Sequence, residues 1–159
     1  MVIFDEKGHV YPYEVFEIEL AEFREIFVDQ MQNRDYRNEQ FVKYLEFVEE
    51  IKRTLKIPFF QWIDGSFTTR KPFPGDVDVV SFINYDHFIR HGRFFNHLGM
   101  HSQELYGVDA HFGTTAPWRH RFYQTAVNDE QYWRDVFGFS RPDENLVRHP
   151  KGIIKIKIQ

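Results

Sequence analysis

The chain has no cysteine among its 159 residues, which excludes disulfides and thiolate zinc sites and makes a soluble, cytoplasmic setting the expected one. It also lacks any run approaching the ~20 apolar residues that cross a bilayer. Its opening, "MVIFDEKGHVYPYEVF", has no basic segment followed by an apolar stretch, so neither export nor membrane insertion is expected. There is no internal repeat, low-complexity tract or Ser/Gly linker, and residues 1–159 are read as one domain. An excess of positive charge is missing too. The net charge of −4 argues against broad, sequence-independent binding to nucleic acid, which works by neutralising many phosphates. Charge is nevertheless uneven along the chain: residues 1–55 carry a net −6 and residues 56–159 a net +2, so a small polyanion suits the second part better.

Aromatic residues are abundant, at 18% with 18 Phe, and beside 42% hydrophobic and 28% charged residues they give the composition of an ordinary globular domain. The arm from Met1 to about Val15, with Gly8 and Pro12, reads as irregular. "ELAEFREIFVDQM" and "NEQFVKYLEFVEEIKRTL" repeat apolar residues at helical spacing, the second behind an Asn38 cap, and predict a helical N-terminal extension over about 1–56. From Ile57 the period changes. "IPFFQWI", "DVDVVSFI", "LYGVDAHF" and "GIIKIKI" read as strands. "DHFIRHGRFFNHLG" reads as a helix ending at Gly99, and "DEQYWRDVF" as one stopped by Gly138. This alternation predicts an α+β fold, a mixed sheet flanked by helices.

The chemistry concentrates between Trp62 and Ile83. Side chains alternate along a strand, so Asp76 and Asp78 in "GDVDVV" share a face. Adjacent carboxylates disfavour joint ionisation, and the simplest compensation is a hard divalent cation such as Mg²⁺ or Mn²⁺, which takes oxygen ligands and leaves positions for substrate phosphates. Asp109 in "YGVDAHF" becomes the third carboxylate if its strand lies beside that of Asp76. Upstream, Gly65 allows a sharp turn and close approach to a ligand, while Ser66 adds a hydroxyl beside backbone N–H groups, a cradle for phosphate oxygens. Arg70 and Lys71 supply positive charge nearby.

Ile63, Gly65-Ser66, a nine-residue spacer and Asp76-Val77-Asp78-Val79 together resemble the signature of the polymerase-beta-type nucleotidyltransferase superfamily. The chain also resembles the small stand-alone prokaryotic members, some of which serve as antitoxins, and its stretches "FDEKGHVYP" and "YWRDVFGFSRPDENLVRHPKGIIKI" look like those of one uncharacterised branch of that group. The resemblance implies a nucleotidyltransferase fold, Asp76 and Asp78 as metal ligands, Asp109 as third ligand and acceptor base, and Gly65 and Ser66 as nucleotide-binding residues. It implies a nucleoside triphosphate as substrate, with transfer of a nucleoside monophosphate to an acceptor hydroxyl, and a protein partner such as a toxin or neighbouring gene product. The alternative is a catalytically weak binding module of the same fold. Asp64 departs from the pattern, standing where many members have a hydrophobic or small residue, and Pro72 and Pro74 argue against a regular helix after Gly-Ser.

Other features take the plainer reading. His87/His91 and His97/His101 are spaced for zinc but lack a third ligand, and Arg119 and Arg121 read as exposed. Tyr123, Tyr132, Trp133, Phe137 and Phe139 read as core, and Lys155 and Lys157 as the solvated face of an edge strand.

Overall fold

The computed structural model describes residues 1–159. The N-terminal arm is more regular than its composition predicts. Ile3–Phe4 (β1) pairs antiparallel with Val10–Tyr11 (β2), and Val15–Glu17 (β3) joins the main sheet, so the segment before residue 56 is not simply helical. Leu20–Arg24 (α1) runs on into a π-helical turn, Glu25–Asp29. Arg34–Leu55 (α2) follows, starting earlier than Asn38; Asn33 in the left-handed region marks its entrance, and Asn38 lies inside the helix. Phe59–Asp64 (β4) ends in a 3₁₀ turn at Gly65–Thr68, and Val77–Asn84 (β5) leads directly into Tyr85–Arg90 (α3) and Gly92–Tyr106 (α4). That helix runs through Gly99 and stops at Gly107, whose φ of 61° is the left-handed conformation that ends helices. Val108–Thr115 (β6), Tyr123–Phe137 (α5) and Ile153–Ile158 (β7) complete the chain.

The five-stranded sheet has the order β3-β7-β4-β5-β6, with β3/β7 and β5/β6 parallel and the two central pairings antiparallel. It is a mixed sheet flanked by helices, an α+β fold. The closing strand is interior rather than at an edge: Lys155 and Lys157 pair with Glu17 at 3.0 and 2.6 Å across the β3 neighbour.

Strand alternation divides the core in two. Ile63, Val77, Val79, Ile83 and Ile154, Ile156 and Ile158 of β7 pack with Phe23 of α1, Phe27 of the π-helical turn, and Phe41, Phe47 and Ile51 of α2. On the opposite face Trp62, Val80, Phe82 and Ile153 meet Phe137 of α5 with Trp133 against them. Tyr123, Tyr132 and Phe139 stay substantially exposed, so only part of the expected aromatic cluster is core. A buried chain of hydrogen bonds, Tyr44 Oη to Gln61 Oε1 (2.7 Å) and Gln61 Nε2 to Ser81 Oγ (2.9 Å), ties α2 to the middle of β4 and β5 and fixes their register.

Candidate metal centre

The register places charge where a sheet tolerates it least. Asp64 of β4 lies opposite Asp78 of β5, and Asp78 lies opposite Asp109 of β6, so three carboxylates form a row across three adjacent strands. Asp76 sits two residues before Asp78, just ahead of β5. Like charges directly opposite one another destabilise a sheet, so the row needs compensation.

Oxygen atoms of Asp76, Asp78 and Asp109 all lie within 4.8 Å of one another, each residue half-buried. The sequence expectation that these three converge is met geometrically, because β5 and β6 are parallel neighbours. Burial, then Asp76 and Asp109, pushes the Asp78 carboxyl up to about 6. Asp64 is buried, which lifts its carboxyl above the usual range, while Lys151 at 2.8 Å pulls the other way. Asp109 also lies 3.4 Å from His111 Nε2, and the His111 ring packs on Trp133 at 4.7 Å.

Gly65 is required where it stands. Its φ is +75°, and a Cβ there would fall 1.6 Å from Asp78 Oδ2. The turn is closed by Thr69 N and Oγ1 donating to the Ser66 carbonyl at 3.2 and 2.8 Å, which sets Ser66 at the mouth of the cleft. Only a single 3₁₀ turn follows, as the prolines foretold.

The loop from Phe67 to Pro74, joining Gly-Ser to Asp76, is held by one stripe of α2. Buried Arg37 donates to the carbonyls of Phe27 and Phe67 (both 2.8 Å), Thr69 (2.8 Å) and Lys71 (2.7 Å). Asn33 donates to Pro72 O (3.1 Å), and Tyr36 and Gln40 to Pro74 O (2.9 and 2.8 Å). Positions 36, 37 and 40 share a helix face and Asn33 stands at the helix entrance, so the first turns of α2 and its cap supply donors to the loop's inward carbonyls. Burial lowers the Arg37 guanidinium to about 10, which leaves it charged at neutral pH. This clamp escaped the sequence reading, although its helical spacing is visible there.

The carboxylates open on a cleft of about 640 Å³, lined by Gly65, Ser66 and the four aspartates together with Lys71, Arg141, Lys151 and, from the N-terminal arm, His9. Three of its seventeen lining residues are hydrophobic, Val136, Phe137 and Phe139, so the cleft suits a charged ligand with an apolar portion. Arg70 is not among them. It lies over the Phe4 ring at 5.0 Å and its amide bonds to Gly8 O, so of the two expected basic residues only Lys71 reaches the site. Arg141, Lys151 and His9 lie far from the motif in sequence, and no spacing announced them. His97 and His101 lie with ring centres 4.4 Å apart, tilted by 44°, on α4 and are not among the residues lining the cleft.

Over residues 2–157 the chain matches a family of unknown function, DUF6932. It belongs to that family. No curated protein and no solved structure matches it. For this DUF6932 chain the site must therefore be read from its own chemistry. The donor set fits a hard divalent cation: three carboxylates within one coordination sphere's reach, no sulfur ligand, and basic groups lining the same cleft for an anionic co-ligand. No helix is long and apolar enough to cross a membrane.

Proposed function

We propose that the protein is a Mg²⁺- or Mn²⁺-dependent nucleotidyltransferase that moves a nucleoside monophosphate from a nucleoside triphosphate to an acceptor hydroxyl. The observation that carries this reading is the convergence of Asp76, Asp78 and Asp109 within 4.8 Å beside the Gly65-Ser66 turn, in a polar cleft with a basic wall. Asp76, Asp78 and Asp109 hold the metal. When bound, the metal supplies neutralisation of phosphate charge and orientation of the phosphates.

The remaining work falls to the chain. Gly65 and Ser66 present backbone N–H groups and a hydroxyl to the phosphate chain, and Lys71 and Arg141 balance its charge. The acceptor oxygen attacks the α-phosphorus, the bond to the β-phosphate oxygen breaks, and pyrophosphate leaves. Asp109, at the edge of the triad beside His111, takes the proton of the attacking hydroxyl. Positioning and electrostatics supply most of the rate in such transfers.

Incubation with nucleoside triphosphates labelled at the α-phosphate, Mg²⁺, and separately small hydroxyl compounds, total RNA and the neighbouring gene product tests the reading. Transfer of label is expected, and it is lost in Asp78→Asn. A second reading, a binding module for a protein partner, is favoured by one feature: no α-helix follows Gly65-Ser66, so the phosphates lack the helix dipole that commonly assists such turns. MgATP at 100 times its dissociation constant adds about 2.7 kcal/mol to stability if it binds the folded protein, and absence of any such shift favours the binding module.

A further inference from the structure

Beside the triad lies an ion pair to which the reading above gives no role. Lys151 Nζ is 2.8 Å from Asp64 Oδ2, with the side chains 9% and 5% exposed. A pair buried this deeply loses hydration that its own attraction barely restores, and an apolar pair of similar volume serves stability as well or better. Nor is the pair fully satisfied. Asp64 Oδ1 is shielded from solvent and accepts no hydrogen bond, although both residues line the cleft. The fold thus leaves the bonding of this buried carboxylate incomplete, with the Gly65 amide its nearest backbone donor, in a residue that also lines the cleft.

The backbone fixes Lys151 from both sides. Its amide donates to Gly138 O at 2.9 Å, and the next amide, Gly152 N, to Val10 O at 2.8 Å. A Cβ at Gly152 would lie 2.7 Å from both Pro12 O and Val10 Cγ1, so the chain passes through a slot that only glycine fits. The backbone anchor sets where the side chain starts, and its burial and the 2.8 Å contact with Asp64 hold the ammonium at the end of β4. The ammonium carries three donors, and Asp64 is the one carboxylate it is paired with.

We propose that Lys151, held in place by Asp64 beside the Gly65-Ser66 turn, is a phosphate-binding residue that donates to an oxygen of the triphosphate chain. The proposal rests on the nucleotidyl-transfer reading and deepens it. Asp64 is a positioning residue: it anchors the ammonium by one oxygen at the end of β4. Lys151 in turn cancels the charge that Asp64 would otherwise turn toward an incoming phosphate, so a carboxylate directly before Gly-Ser becomes compatible with anion binding.

Calorimetric titration of Mn²⁺ alone, MgATP and magnesium pyrophosphate into the wild type, Lys151→Met, Asp64→Asn and the double variant Asp64→Asn/Lys151→Met tests this. The double variant leaves no lone buried charge and is expected to stay folded even where Lys151→Met does not. Expected is wild-type affinity for Mn²⁺ in every folded variant, with MgATP and pyrophosphate weakened roughly ten- to hundred-fold wherever Lys151 is removed, the effect of losing one charge-assisted hydrogen bond. Asp64→Asn, which keeps an acceptor for the ammonium, weakens MgATP by less and leaves Mn²⁺ unchanged. A folded double variant that binds MgATP within threefold of wild type overturns the proposal and leaves the nucleotidyl-transfer reading standing. Equal losses for Mn²⁺ and MgATP also overturn it, since Lys151 then acts on the triad and not on phosphate. A wild type that binds Mn²⁺ but neither MgATP nor pyrophosphate removes both.

Discussion

Replacing Gly65 with alanine separates a site built on close approach from a turn that merely changes direction. Two costs arise in the structure. The backbone sits at φ +75°, where an L side chain costs roughly 1–2 kcal/mol. The added methyl would also lie 1.6 Å from Asp78 Oδ2, 2.6 Å from its Cγ and 3.1 Å from its Cβ. Rotation of the carboxyl relieves the first contact but not the last, so the turn and β5 must separate slightly as well, and overpacking of this kind costs about 1–3 kcal/mol. Together these predict a loss of about 2–5 kcal/mol in urea unfolding at pH 7.5, accompanied by at least a tenfold loss of Mn²⁺ affinity because Asp78 is displaced from the triad. Gly75→Ala is the internal control: nothing lies within 4 Å of its Cβ position, and its stability is expected within about 0.5 kcal/mol of wild type. A Gly65→Ala protein that loses less than about 1 kcal/mol and binds Mn²⁺ normally refutes the reasoning, because the contact between turn and carboxylate is then not as close as the geometry states.

Asp76→Asn/Asp78→Asn is expected to abolish Mn²⁺ and MgATP binding by calorimetry while leaving the metal-free melting temperature unchanged or higher, since it removes repulsion from the carboxylate row; unfolding of this variant would show the pair to be structural. The pH dependence follows from the same groups. With the folded Asp78 carboxyl raised to about 6, the folded state holds a proton that the unfolded chain releases near 4, so metal-free stability falls as pH rises from about 4 to about 6 and the deficit persists above. The difference in unfolding free energy, Asp78→Asn minus wild type, should therefore grow across that window and level off above it, and a flat difference from pH 4 to 7.5 counts against the shift. Arg37→Met leaves four carbonyls without their donor and is expected to cost about 3–5 kcal/mol in urea unfolding, whereas a loss below about 1 kcal/mol would show that water replaces the guanidinium.

What the sequence made legible was whatever depends on period and on near neighbours. Alternation in "DVDVVSFI" placed Asp76 and Asp78 on one face, and one assumption about strand order brought in Asp109. Distant segments were not legible, because no local pattern encodes which strand ends up beside which. Lys155 and Lys157 alternate as an exposed edge would, yet β3 pairs outside the strand as far as Lys155 and Glu17 bonds both ammonium groups, leaving only Lys157 well exposed. Gly99 resembled a helix stop, but the helix passes through it with Phe112 at 3.5 Å from its Cβ position, and the true stop is Gly107 in the left-handed conformation. Asp64 stood out as a departure from the motif. Its partner, Lys151, is 87 positions away along the chain, so the sign of its effect on anion binding could not be read before the two were seen together.

The clamp on the loop explains how a charged row survives at the ends of three strands. Repulsion among Asp64, Asp78 and Asp109 favours any motion that separates β4 from β5 at this end, and the link between them, residues 65–76, would be free to follow such motion. Two prolines in that link remove amide donors that could have tied it to itself. The restraint comes instead from α2, whose Asn33, Tyr36, Arg37 and Gln40 hold five carbonyls between Phe67 and Pro74. Because α2 is itself fixed to the sheet through Tyr44, Gln61 and Ser81, the loop cannot open without breaking a buried polar chain. The unfavourable charge is thus held in a rigid frame, with the oxygens of Asp76, Asp78 and Asp109 within 4.8 Å of one another.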